Sequence, residues 1–207
     1  MSKYISLILL TALLAFSCGK KDSRTTTTNQ NVKPQQNTQQ QQNNNTTQTQ
    51  TTSAKEYYSV KNVGSSAGSK QLVDFEWTEN SKDKKLSDYK GKVILLNFWA
   101  TWCPPCRKEL PALSQIADEF KGKNFQMIGV SVDENPSALT SFLQSNSLSY
   151  TILHNNSGLL EKYMDIVGGG QNVIPQTFII DKNGKVVENV VGSRSKDDFV
   201  ELINKYL

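Results

Sequence analysis

Two cysteines separated by two prolines, Cys103-Pro104-Pro105-Cys106, are the residues of this chain whose type and spacing can do chemistry. A pair this close can pass two electrons by opening and closing one disulfide, because a thiolate attacks a partner disulfide and its neighbour then resolves the mixed disulfide. The same spacing suits half of a tetrahedral zinc site, which needs four ligands. Beyond the pair the sequence holds one further cysteine, Cys18, and one histidine, His154, so no metal is expected. No organic cofactor is needed for cysteine exchange, and none is expected. A static disulfide is the remaining reading, although a loop this small staples little structure.

The elements that must position the pair are legible from periodicity. Val93-Ile94-Leu95-Leu96-Asn97-Phe98-Trp99 is a nearly continuous apolar run of strand length, which places it as a central strand buried on both faces. Pro104 and Pro105 suit the first turn of a helix, where a missing N–H costs nothing. Leu110, Leu113, Ile116, Ala117 and Phe120 then recur at helical spacing. Pro111 removes one hydrogen bond inside that helix and predicts a kink. Glu109 follows Cys106 by three residues and so shares its side of the helix. Residues 126–132 read as a second buried strand and 136–146 as a second helix with Leu139, Phe142 and Leu143 inward, a unit whose right-handed crossover makes the two strands parallel. A short strand over 150–153 and a helix over 158–164 follow. Segments 177–180 and 185–191 flank Asp181-Lys182-Asn183-Gly184, a hairpin signal. Ser195 with Asp198 caps a last helix whose stripe is Phe199, Leu202, Ile203 and Tyr206. His154, just before Asn155-Asn156, reads as a solvated loop residue.

Composition divides the chain unevenly. Residues 1–17 hold Lys3, the apolar run Ile5 to Phe16 and a small residue before Cys18, the architecture of a signal peptide. The run is shorter than the roughly 18 residues of a spanning helix. Leu14-Ala15-Phe16-Ser17-Cys18 resembles a bacterial lipobox with its leucine one place further back than usual, which implies lipidation of Cys18; ordinary cleavage is the alternative. Residues 18–55 form a Thr/Gln/Asn-rich linker, in which Val32 is the only large aliphatic residue, and such a tract cannot build a core. As a flexible tether it would reach about 35 Å, at roughly 5–6 Å times the square root of its length. One folded domain over 56–207 is expected. The net charge of +4 is spread over scattered lysines, so no nucleic-acid partner is expected.

Two segments carry a family resemblance. Asn97-Phe98-Trp99-Ala100-Thr101-Trp102-Cys103-Pro104-Pro105-Cys106-Arg107-Lys108-Glu109-Leu110-Pro111 and Ile174-Pro175-Gln176-Thr177-Phe178-Ile179-Ile180-Asp181 resemble the active-site and later proline-bearing segments of the TlpA/ResA-like thiol-disulfide oxidoreductases. The resemblance covers roughly 72–207. It implies an α/β, thioredoxin-like fold: a central mixed sheet flanked by helices, with a strand and helix inserted between a β-α-β half and a C-terminal β-β-α half. Cys103 would sit at a helix N-terminus, whose N–H groups and partial positive charge lower a thiol pKa, making it the nucleophile and Cys106, one turn inward, the resolver.

Further roles come from the resemblance alone. Glu109 matches a glutamate that acts beside the cysteines, where it could hold or pass the resolver's proton. Pro175 matches a cis-proline, and Ile174 would offer its backbone to bound substrate. Trp102 would wall the site while Trp99 lies in the core. The implied partners are oxidised protein thiols such as those of apocytochrome c and a thiol-electron donor in the membrane, met by a lipid-anchored, extracytoplasmic monomer. Two features depart from the pattern. Gly168-Gly169-Gly170-Gln171-Asn172 loosens the approach to Pro175, and Pro104-Pro105 supply no imidazolium to the Cys103 thiolate, which favours a reductant over an oxidant. Two rivals share the fold, a lipoprotein peroxidase of the peroxiredoxin type and a non-enzymatic binding lipoprotein. The adjacent cysteines argue against the first, and the intact Trp102 to Cys106 segment with Pro175 against the second.

Overall fold

The computed structural model describes residues 56–155 and 158–207. The expected signal peptide over 1–17, the expected lipidation site Cys18 and the expected linker over 18–55 lie outside the described residues. The described chain opens with strands β1 (Tyr58–Ser59), β2 (Val63–Ser66), β3 (Val73–Glu79) and β4 (Lys82–Lys85) and a 3-10 turn over Leu86–Tyr89. Then come β5 (Val93–Trp99), α1 (Pro104–Glu119), β6 (Phe125–Ser131) and α2 (Pro136–Ser145). The inserted pair β7 (Thr151–His154) and α3 (Leu159–Ile166) precedes β8 (Gln176–Ile180), β9 (Val186–Val191) and α4 (Lys196–Tyr206).

Six strands make one mixed sheet in the order β1-β7-β6-β5-β8-β9. β5 lies inside it, parallel to β6 from Val93↔Phe125 to Trp99↔Ser131 and antiparallel to β8. All seven β5 residues are buried, as a continuous apolar run requires. Successive side chains point to opposite faces of a strand. Val93, Leu95 and Trp99 accordingly join the core with Leu110, Leu113, Leu139 and Phe199, while Ile94, Leu96 and Phe98 join the other with Phe75, Trp77, Tyr163 and Phe178. Helices thus cover one face, and α3 with the N-terminal strands covers the other.

The N-terminal strands add what periodicity did not indicate, an antiparallel sheet β2-β3-β4. Trp77 is fully buried there and stacks on Tyr89 at 6.2 Å. The hairpin between β3 and β4 turns through Asn80 and Ser81, both at positive φ. The expected hairpin after β8 is present and closes through Gly184 at φ +82°, where its N–H donates to the Asp181 carbonyl. α4 begins with the expected box, Ser195 accepting from the Asp198 N–H while the Asp198 carboxylate accepts from the Ser195 N–H.

His154 corrects the solvated-loop expectation. It ends β7, paired to Ser131 on one side and Ser59 on the other, and it is half-buried. Its Nε2–H donates to the Asp133 carbonyl at 2.7 Å. Pairing on both edges carries the strand one residue beyond the apolar run that marked it. Among the described residues no helix is long and apolar enough to cross a membrane.

Candidate active site

β5 ends at Trp99 and delivers the chain to Cys103, which is the N-cap of α1. Pro104 opens the helix, where its fixed φ is already helical and its missing N–H would have had no partner. Cys103 and Cys106 are joined in a disulfide. The Cys106 N–H donates to Cys103 Sγ at 3.3 Å, so the outer sulfur sits against the helix terminus. Cys106 is wholly buried and Cys103 is 3% exposed. The Ile174–Pro175 peptide is cis. Cys103 Sγ lies 3.7 Å from the Ile174 carbonyl oxygen; with both sulfurs in the disulfide this is a contact without a donated hydrogen. Trp102 is 65% exposed beside the pair, whereas Trp99 is fully buried. The structure therefore gathers Trp102, Cys103, Cys106, Ile174 and Pro175 at one place.

Glu109 lies on the same helix, is 2% exposed and belongs to a polar network inside the core. Its Oε1 accepts from Asn97 Nδ2 at 3.0 Å and its Oε2 from the Arg194 N–H at 3.3 Å. Burial pushes the carboxyl up from 4.5 to about 7, against the opposing pull of those hydrogen bonds. Asn97 also donates to Thr177 Oγ1 at 2.9 Å, so one amide links β5, α1 and β8. A polar residue inside an apolar strand was the signal for Asn97, though it does not name the partner.

Asp133 is the second residue that the motifs did not single out. Just past the end of β6 and buried, it accepts from the Thr101 N–H at 3.0 Å, from Thr101 Oγ1 at 2.6 Å and from Ser131 Oγ at 2.7 Å. It fixes the segment between β5 and the cysteines. Its sequence signal is weak, since an acid after an apolar strand is ordinarily solvated. Among the described residues no three His, Cys, Asp or Glu side chains gather as metal ligands. What the site can do is redox chemistry at sulfur, with a carboxyl that titrates near neutrality close at hand.

Comparison with known proteins agrees with this chemistry. The family model AhpC/TSA matches residues 69–189. The chain is 31% identical over 143 residues to the thiol-disulfide oxidoreductase ResA of Bacillus thuringiensis, covering 69% of this chain and 78% of that protein. It is 34% identical over 138 residues to ResA of Geobacillus kaustophilus, covering 66% and 73%. The chain belongs to the ResA-like thiol-disulfide oxidoreductases of the AhpC/TSA family. Solved structures agree with the architecture of this ResA-like enzyme. A thiol:disulfide interchange protein of the thioredoxin family from Chlorobium tepidum superposes with a TM-score of 0.60 at 29% identity, covering 69% of this chain and 99% of that one. The exposed lipoprotein thioredoxin of Streptococcus pneumoniae gives 0.55 at 28% identity, covering 64% and 98%. The ResA-like oxidoreductase thus has the thioredoxin-like fold implied by its two motif segments, with the inserted β7 and α3 in place.

Proposed function

We propose that this oxidoreductase works as a reductant of protein disulfides outside the cytoplasm, with Cys103 as nucleophile and Cys106 as resolver. The observation that carries the assignment is the difference between the two sulfurs. Cys103 Sγ sits at the α1 N-terminus next to the Ile174 carbonyl, and Cys106 is sealed behind it. A helix N-terminus stabilises a thiolate, and the thiolate is the attacking species.

In the reduced enzyme the Cys103 thiolate attacks one sulfur of a substrate disulfide, breaks the S–S bond and releases the other sulfur as a thiolate that takes up a proton. The Cys106 thiol then loses its proton and attacks Cys103 Sγ, expelling the second substrate sulfur and closing the enzyme disulfide. Two electrons have passed to the substrate. Glu109, with a carboxyl near neutrality, is matched to accept the Cys106 proton, since transfer is most effective when the pKa lies near the working pH. Trp102, Ile174 and Pro175 form the wall along which the substrate lies.

Each turnover leaves the enzyme oxidised, so a donor must restore the dithiol, and a membrane thiol carrier is the proposed source. Oxidised protein thiols of the apocytochrome c kind are the proposed substrates of a monomer tethered through Cys18. The name of the pneumococcal relative, an exposed lipoprotein, supports the anchor. The disulfide between adjacent cysteines supports exchange over peroxidase chemistry at a lone cysteine.

The decisive measurement is the reduction potential of the Cys103/Cys106 couple. A value near or below about −270 mV fits a dedicated reductant, and one near about −120 mV makes the enzyme an oxidant and reverses the proposed electron flow. Labelling with radioactive palmitate tests the anchor, which an unlabelled, freely released protein rules out.

A further inference from the structure

A cavity of about 190 Å³ opens beside the disulfide, lined among others by Trp102, Val132, Leu159, Glu161, Asn172 and Ile174. Two segments outside the cysteine motif build it. One is α3, and the other is the loop through Gly168, Gly169 and Gly170, all at positive φ, that leads to Asn172. The cavity is tied to the reacting sulfur through Ile174, which lines it and whose carbonyl oxygen lies 3.7 Å from Cys103 Sγ. It is tied again through Trp102, the residue before Cys103, exposed to 65%. A substrate cysteine bonded to Cys103 therefore brings its sequence neighbours over this opening.

The chemistry of the lining selects among neighbours. The walls are apolar apart from Asn155, Glu161 and Asn172, with an indole at the edge. Glu161 Oε1 accepts from Asn172 Nδ2 at 3.4 Å, and a carboxylate has room for further donors. Among the described residues no cation pairs with Glu161; the adjacent Lys162 directs its Nζ to the Gly64 carbonyl. Arg107 and Lys108, the cations of the cysteine motif, line a different groove with Pro104, Pro111, Phe142 and Leu148. An acidic side chain entering the cavity would meet a like charge. A basic side chain would lay its methylenes on the apolar wall and carry its charge to the carboxylate and the indole face.

We propose that this cavity is a specificity subsite for a lysine or arginine side chain of the substrate, within two residues of the cysteine that bonds to Cys103. The proposal rests on the exchange reading above and deepens it by naming a substrate class. It makes Glu161 and Trp102 determinants of which disulfides react, with no part in the electron transfer.

The test uses the full chain carrying Cys106→Ala, so that a mixed disulfide at Cys103 accumulates and is located by peptide mass mapping. The probes are one peptide series whose cysteine bears a thionitrobenzoate leaving group, with Lys, Gln or Glu at each of the two positions on either side. At one position the Lys peptide should react roughly tenfold faster than the Glu peptide at low ionic strength, and the ratio should shrink as salt is added. Glu161→Gln should bring that ratio close to one, Glu161→Lys should invert it, and Trp102→Ala should lower it. A flat ratio at all positions, or one that survives Glu161→Gln, overturns the subsite. Attack on neutral 2-hydroxyethyl disulfide reads the exchange by itself. If Cys103 reacts there while the peptide ratio is flat, only the subsite falls; if it does not react, the exchange reading falls and takes the subsite with it.

Discussion

A carboxyl whose pKa rises from 4.5 to about 7 on folding changes what pH does to this protein. Between those values the native state holds the Glu109 proton more tightly than the unfolded chain does. Stability from this group is therefore fully present below about pH 4.5, declines as the pH rises toward 7 and is lost above it. The shift corresponds to at most about 3 kcal/mol. Glu109→Gln removes that slope, so in urea titrations the variant should gain on the parent between pH 5 and pH 8. In the reduced enzyme, alkylation of Cys106 should also lose the inflection that Glu109 imposes near neutrality; an unchanged profile would leave Glu109 a purely structural acid. At this scale the sequence exposed Cys103 and Cys106 by their spacing and set Glu109 on the same side of the helix, its role coming from the family resemblance. It hid what Asn97 and Asp133 do, because Thr177 lies 80 residues from Asn97 and Thr101 lies 32 from Asp133.

Among the elements, the join between β6 and its neighbours is the most tightly specified. An alanine Cβ at Gly129 would lie 2.9 Å from Tyr150 Cε2, 3.1 Å from Ile152 Cδ1 and 3.2 Å from Trp99 Nε1. Gly129→Ala should cost about 1–3 kcal/mol in denaturant titrations, since the three groups cannot all withdraw within a packed core. Asp133→Ala leaves the Thr101 N–H and the Thr101 and Ser131 hydroxyls without their acceptor and should cost about 2–3 kcal/mol. It should also slow disulfide reduction, because the segment feeding Cys103 loses its tie; a reduction rate equal to the parent's would show that the segment holds without it. β5, α1, β6, α2 and the C-terminal hairpin were legible because burial on two faces, or a helical stripe, writes itself into consecutive residues. The β3–β4 hairpin escaped for the opposite reason. Lys82–Lys85 carries no apolar residue, and Asn80-Ser81 turns at positive φ without the glycine that ordinarily marks such a turn.

For the molecule as a whole, that hairpin is part of the fold. Trp77 and Phe75 are buried in the same core as Phe98 and Phe178, so the N-terminal strands close the face of the central sheet that α1 and α4 leave open. Trp77→Ala should destabilise the protein by about 3–5 kcal/mol, read as a lower thermal midpoint. A midpoint unchanged from the parent would make the N-terminal sheet an appendage. The site has a similar reach along the chain, for Cys103 and the Ile174 carbonyl that flanks it are 71 residues apart. A ribosome makes the chain from its N-terminus, so the cysteine pair exists for the time of some seventy further residues before the wall beside it does. A chain stopped at the end of α3 would carry both sulfurs and no Ile174 beside them. Under the proposed function, selectivity among disulfides is thus acquired late in synthesis, once the chain beyond α3 has joined the cysteines.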